Sequence, residues 1–340
     1  MTANLIAGAR DVLDSLRAER WLVVGAAMTT VSGIAAFALI PVTGMVNSPT
    51  LGVGLLWLIL TAVVVGCHVI VGTIKMARSG DERPLAILWS RLKSKQTLFV
   101  AVGTLLLAEN LLFFCIIKPQ LGQLVAFTAD PLLADIDYYL FGADPWLLIE
   151  WFKHPGMELI YHRGWFLWLA FVAVYLLSLP SSREKDRLLI SYMMLWSIFG
   201  PLVHLMLPAA GPVFFDELGF GDRFTGLRQS DSSQTVATYL WTGYSGKIFY
   251  PAGGISAMPS LHLTTMFWSL IAIRNTRWLA FGIAFTTYIF LGSIAIGWHY
   301  AVDGLAGAVG ALVCYWAAGA FADGKLGLAS ILPAKRIAPA

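Results

Sequence analysis

Apolar stretches of about 20 residues, joined by short polar segments, recur along most of the chain. Eight of them are long enough to cross about 30 Å of hydrocarbon as helices. They fall at roughly residues 21–43, 51–74, 97–117, 157–179, 188–208, 259–273, 277–297 and 299–321. The pattern predicts an all-α, polytopic helical membrane bundle of about eight transmembrane helices. A membrane barrel would instead show segments of roughly ten residues in strict alternation, and the sequence has none. Two segments interrupt the rhythm. Residues 121–155 contain DYYLFGADPWLLIEWF, whose Trp and Tyr content suits a segment lying at the membrane interface. Residues 209–258 form the one long polar loop. The resulting division is an N-terminal membrane region (1–120, three spans and a basic loop), an outer interfacial segment (121–155), a C-terminal membrane domain (156–322) and a tail (323–340).

Composition agrees with this. Only 13% of residues are charged, where a soluble domain carries about a quarter, and the mean hydropathy is +0.72. The net charge of +3 is small and comes from the loops, which argues against a nucleic-acid partner. Its distribution fixes an orientation. With the N-terminus in the cytoplasm, all of the 23 Lys and Arg fall inside except Lys118, Lys153, Arg163, Arg223, Arg228 and Lys247. Both termini are then cytoplasmic, and the 209–258 loop and the starts of the sixth and eighth spans face the other side. The first 20 residues read as an amphipathic lead-in and not as a signal peptide. Cys67, Cys115 and Cys314 lie far apart within apolar runs, without ligand spacing, so neither disulfides nor a metal cluster is expected.

Two strings carry the chemistry. GGISAMPSLHLTT opens the sixth span and GSIAIGWHYAVDGLAG crosses from the seventh span into the eighth, both at the same face. His299 and Asp303 stand at i and i+4, so on a helix the carboxylate lies one turn from the imidazole on the same side. An aspartate accepting from one ring nitrogen fixes the tautomer and leaves the other nitrogen free to attack. His262 lies on a neighbouring helix at the same depth, within reach of a leaving oxygen. The helix beginning near Pro259 turns its free N–H groups toward an anion site. The bland alternative is a structural histidine and a local ion pair. Two ionisable clusters at one depth in a membrane bundle, one behind a Gly-rich and Pro-Ser turn, outweigh it.

PSLH followed by G-x-x-H-Y-x-x-D-x-x-A-G resembles the second and third signature motifs of the PAP2 superfamily, especially its inositol-phosphorylceramide-synthase (Aur1-like) branch. The resemblance covers about 50 residues, roughly 256–307, with DYYLFGADP and LPAAGP similar to stretches upstream of those motifs. It implies a PAP2-like core in the C-terminal part, at 156–322. It also implies His299 as the nucleophile taking the phosphoryl group, Asp303 as its orienter, and His262 as general acid and then base. No metal and no organic cofactor is implied.

The departures from that family are informative. Most phosphatases of the superfamily have Ser-Arg six to seven residues before the nucleophile, where this chain has Gly292 and Ser293. Lys75 to Arg83-Pro84 comes near their first motif, but its spacing is one residue too long and the topology puts it on the opposite face. A phosphate monoester carries nearly two charges and calls for several cationic clamps, whereas a diester carries one. A cation-poor site therefore suits a diester, and the expected activity is transfer of a phospho-headgroup such as phosphoinositol. The donor would be a phospholipid and the acceptor a lipid hydroxyl. The alternative is a phosphatase acting on an isoprenoid diphosphate or phosphatidic acid through the same histidines. A non-catalytic scaffold or transporter would call for midplane polar chains and repeat symmetry, which the sequence lacks.

Candidate cations for the phosphate are Arg228, Lys247, Arg223 and Arg163, with Ser256, Ser260 and Tyr300 as further phosphate or headgroup contacts. Glu109, Asn110, His68 and His204 are read as structural polar residues paired inside the bundle. Trp165, Trp168 and Trp298 are read as interface anchors. Compact loops without disulfides point to a bacterial inner membrane.

Overall fold

The computed structural model describes residues 19–39, 62–63, 65–67, 69–78, 83–227, 229–250 and 253–323. Among them every regular element is helical. Five helices are long and apolar enough to cross a membrane: α1 (Arg20–Leu39), α3 (Lys95–Leu124), α5 (Met157–Ser178), α6 (Arg183–Met206) and α10 (Ala301–Ala322). Two shorter apolar helices, α8 (Leu261–Ile273) and α9 (Leu279–Ala295), match the sixth and seventh predicted spans. Much of the second predicted span, including His68, lies outside the described residues, as does Arg228. Further helices are α2 (Pro84–Leu92), α4 (Asp130–Phe141) and α7 (Asp231–Ser245), beside short helical turns such as Pro145–Leu148 and Pro212–Phe214.

Local signals set the helix starts. Ser94, Ser182, Ser230 and Ser260 each cap a helix, accepting from the N–H of Thr97, Lys185, Ser233 and Leu263 respectively. The polar 209–258 loop is thus partly helical. Ser230 begins α7, and Val236 and Leu240 turn back onto the bundle because an apolar stripe recurs at helical spacing within the polar composition. α4 ends on Gly142, which takes the left-handed conformation that stops a helix.

One end of the bundle gathers the starts of α1, α3 and α6 and the ends of α5, α8 and α10. Lys185 meets Glu19 at 2.9 Å in a buried pair and also donates to the carbonyls of Leu177 and Leu179. Arg20 donates to the Ala322 carbonyl, Arg274 pairs with Glu184, and Arg183 pairs with Asp323. The opposite end therefore holds the end of α3, the starts of α5, α8 and α10, and the connection carrying α7. This alternation is the one the spacing of apolar runs predicts.

α8 and α10, which carry the two motifs, pack closely. A Cβ added at Gly307 would lie 2.8 Å from the Thr264 hydroxyl and 3.2 Å from the Ser260 carbonyl, so only glycine permits this approach. Asn110 is buried and donates to the Ser197 hydroxyl at 2.7 Å, a structural pairing of α3 with α6. Glu109, expected to pair inside the bundle, is instead exposed on α3, because the two neighbours sit on different faces of one helix.

Candidate functional site

His299 stands just before α10, in a turn pinned by the Ser293 carbonyl, which accepts the N–H groups of Trp298 (3.1 Å) and His299 (3.4 Å). Its Nδ1 faces two acceptors, the Ala257 carbonyl at 2.9 Å and Asp303 Oδ2 at 3.3 Å. A carbonyl can only accept, so Nδ1 carries the proton and Nε2 presents its lone pair. The sequence points to Asp303 as the orienter. The nearer acceptor is the backbone of the PSLH loop, which no residue pattern reveals.

Asp303 is fully buried, and its Oδ2 also accepts the Tyr300 N–H at 2.9 Å. The next two free N–H groups of α10, on Ala301 and Val302, go to the Asp137 carboxylate at 2.6 and 2.9 Å. A second buried carboxylate, Asp130, takes the N–H groups of Ala210 (2.9 Å) and Gly211 (2.7 Å) and the Tyr300 hydroxyl (3.0 Å). Burial pushes both acids up to about 6, against the opposing pull of the N–H groups they accept. Asp137 opens DYYLFGADP, and Ala210 and Gly211 lie in LPAAGP. These upstream strings therefore brace the turn that holds His299, and Tyr300 serves that brace. Pairing across 80 to 170 positions hid them from a reading of local spacing.

His262 is the second residue of α8. Its ring stacks on Tyr161, with centroids 4.8 Å apart, and lies 4.1 Å from the ring of Trp165. Its centroid is 6.4 Å from that of His299. Both rings line a cavity of about 390 Å³ whose walls come from α3, α5, α6, α7, α8 and the two motif loops. Two π turns help shape it. Ile160–Gly164 bears Tyr161 and His162, and Leu195–Phe199 bears Trp196, all lining the cavity; such turns are frequent at functional sites.

The other residues singled out from sequence divide. Ser256 lines the cavity while its hydroxyl bonds His204 Nδ1 at 3.0 Å, giving that histidine its structural partner. Ser260 is fully buried as the α8 cap and does not line the cavity. Arg223 lies elsewhere, held by Asp144 and Asp135 at 2.7 Å each. Arg163 is exposed and outside the cavity. Lys247 is exposed in a neighbouring pocket of about 270 Å³ with Tyr239 and Tyr250. The tryptophans expected as interface anchors are bundle residues: Trp165 and Trp298 line the cavity, and Trp168 is buried with its indole N–H on Ser269 at 2.9 Å. Their positions near predicted span ends could not reveal which way they face.

Two polar cavity residues are absent from the site candidates that the sequence offers, although Lys118 is among the cations placed on that face. His162 has its ring 6.0 Å from that of His262, and Lys118 reaches the cavity from the end of α3. Neither belongs to a motif string, and the only sequence signal is a polar residue near one end of an apolar span. Among the described residues no group of His, Cys, Asp and Glu has the arrangement to hold a metal ion.

No curated protein and no solved structure matches the chain. A family model described as the PAP2 superfamily matches residues 142–317, just over half of the chain, a segment that contains both motif histidines and Asp303. With that extent of match, the chain belongs to the PAP2 superfamily.

Proposed function

We propose that the protein is a membrane phosphotransferase that moves a phospho-headgroup from a phospholipid donor to a lipid hydroxyl through a phosphohistidine on His299. The observation that carries this reading is the pair of imidazoles facing one largely apolar cavity, with His299 Nδ1 held by two acceptors and Nε2 left to react. Members of the superfamily are generally phosphatases or phosphotransferases, which supports an enzyme.

In this reading Nε2 of His299 attacks the donor phosphorus. The bond from phosphorus to the diacylglycerol oxygen breaks, and His262 gives that oxygen its proton. Asp303 stabilises the charge that develops on the His299 ring. An acceptor lipid then places its hydroxyl at the same phosphorus. His262, now neutral, takes the hydroxyl proton, the new P–O bond forms and the P–N bond breaks, returning both histidines to their starting states. Gly292 and Ser293, in place of the motif arginine, leave few positive charges and favour a diester such as phosphatidylinositol, as in the Aur1-like branch.

The same reading sets residues 156–322 as the catalytic domain and residues 1–120, 121–155 and 323–340 as its flanks. It places the site end at the non-cytoplasmic face of a bacterial inner membrane, with both termini cytoplasmic. Supporting it, the opposite end gathers Arg20, Arg183, Lys185 and Arg274.

The test uses purified protein in mixed-lipid vesicles containing headgroup-labelled phosphatidylinositol and candidate acceptors, beside His299→Ala. Label is expected in a new lipid only with His299 intact. Release of free phosphate from a phosphomonoester, with no transfer, would replace this reading with that of a phosphatase.

A further inference from the structure

We infer that Lys118 is the cation that holds the reacting phosphate, in the role that the missing motif arginine leaves unfilled. This rests on the reading of the His299 cavity as the phosphate site. Among the described residues lining that cavity Lys118 is the only Lys or Arg. Its ammonium has no hydrogen bond and no carboxylate ion pair among the described residues. An ammonium held within an apolar bundle without an acid is costly, and an anion brought to it offsets that cost. Three of the described candidate cations are used elsewhere or lie apart: Arg223 is bound by two aspartates, Arg163 is exposed, and Lys247 belongs to the neighbouring pocket; Arg228 lies outside the described residues.

The chain also fixes where Lys118 sits. Pro119 follows it inside α3 and has no N–H to give to the helix. Gly254, in the loop leading to PSLH, has φ +90 and lies directly on this backbone. A Cβ there would fall 2.7 Å from the Pro119 nitrogen and 2.8 Å from the Lys118 carbonyl carbon. The loop bearing Ala257, which holds His299, is therefore in backbone contact with the residue that brings the charge. Lys118 lies outside the family-matched segment 142–317, so this charge comes from the region before it.

Chemistry follows from the count of charges. One ammonium is a point charge and matches a phosphodiester monoanion, whereas a monoester dianion would keep about one charge unmatched. The N–H groups of Leu261 and His262, at the start of α8, give no hydrogen bond to another described residue and complete a small anion cradle. Lys118 thus sets the substrate class as well as its position.

The experiment titrates the detergent-solubilised full chain with orthovanadate and follows the fluorescence of the cavity tryptophans. It needs neither donor nor acceptor lipid, so its outcome is independent of whether the enzyme transfers or hydrolyses. Lys118→Met is expected to weaken binding about 10- to 100-fold, the loss of one charged hydrogen bond, and Lys118→Arg to stay within a few-fold of wild type. A parallel measurement needs no variant: acylation of Lys118 in the wild type, read by mass spectrometry, is expected to be blocked by vanadate. Unchanged binding in Lys118→Met overturns the inference. So does loss of binding confined to Arg163→Met or Lys247→Met, failure of vanadate to protect Lys118, or absence of vanadate binding to the wild type.

Discussion

Replacing Asp303 by Asn isolates what the carboxylate adds beyond orientation. In the wild type Nδ1 of His299 is 2.9 Å from the Ala257 carbonyl and 3.3 Å from Asp303 Oδ2. The carbonyl remains in the variant, so the tautomer with Nε2 free is kept. Where an aspartate alone fixes the tautomer of a catalytic histidine, its loss costs about 10⁴-fold. Here the loss is confined to the charge opposing the imidazolium. A hydrogen bond to a charged partner contributes about 1.5–3 kcal/mol, and each 1.36 kcal/mol is about tenfold in rate. Formation of the phosphohistidine is therefore expected to slow about 10- to 150-fold. Single-turnover transfer of headgroup label, quenched at intervals, gives this rate directly. A fall of about 10⁴-fold would show that the carbonyl does not hold the tautomer, and an unchanged rate would remove Asp303 from the chemistry.

Asp137→Ala leaves the buried N–H of Ala301 without an acceptor, at about 1–3 kcal/mol, and removes the acceptor of the half-buried N–H of Val302. A lower melting temperature in detergent is expected, and an unchanged one would show that the brace adds nothing. Burial holds the carboxyls of Asp130 and Asp137 up at about 6 in the folded chain, above the usual carboxylate value of about 4. Between these values the folded chain binds more protons than the unfolded one, so this contribution to stability is present below about 4 and is lost as pH rises through about 6. Melting curves from pH 4 to 7 should show that fall, and it should shrink in Asp130→Asn. Arg223→Ala frees the 209–258 connection from Asp135 and Asp144. Faster proteolysis between residues 209 and 258, with single-turnover rates within a few-fold of wild type, is the expected pattern; equal proteolysis would mean that the ion pairs do not hold it.

The apolar periodicity makes the helical membrane bundle legible because each span must satisfy its own backbone and meet lipid with apolar side chains. His299, Asp303 and His262 are legible for a different reason, since i and i+4 spacing and a capped helix start are local. What joins distant segments is not. Asp130 and Asp137 reach α10 across more than 160 positions, and Lys118 and His162 enter the cavity from helices without a motif. The cation candidates taken from the outer loop illustrate the limit. Charge and position along the chain are readable in sequence, whereas Arg223 turns to its own aspartates only once α4 and the loop are folded together. The tryptophans near span ends carry the same lesson, because position along a helix sets depth and leaves direction open.

The central claim is a covalent phosphohistidine at residue 299. The most direct measurement is a rapid acid-free quench of the enzyme with headgroup-labelled phosphatidylinositol in the absence of acceptor, followed by proteolysis and mass spectrometry. The account predicts an acid-labile, base-stable phospho-headgroup on the peptide containing His299, absent in His299→Gln and discharged when an acceptor lipid is added. Label on a different residue, or transfer persisting in His299→Gln, would contradict it.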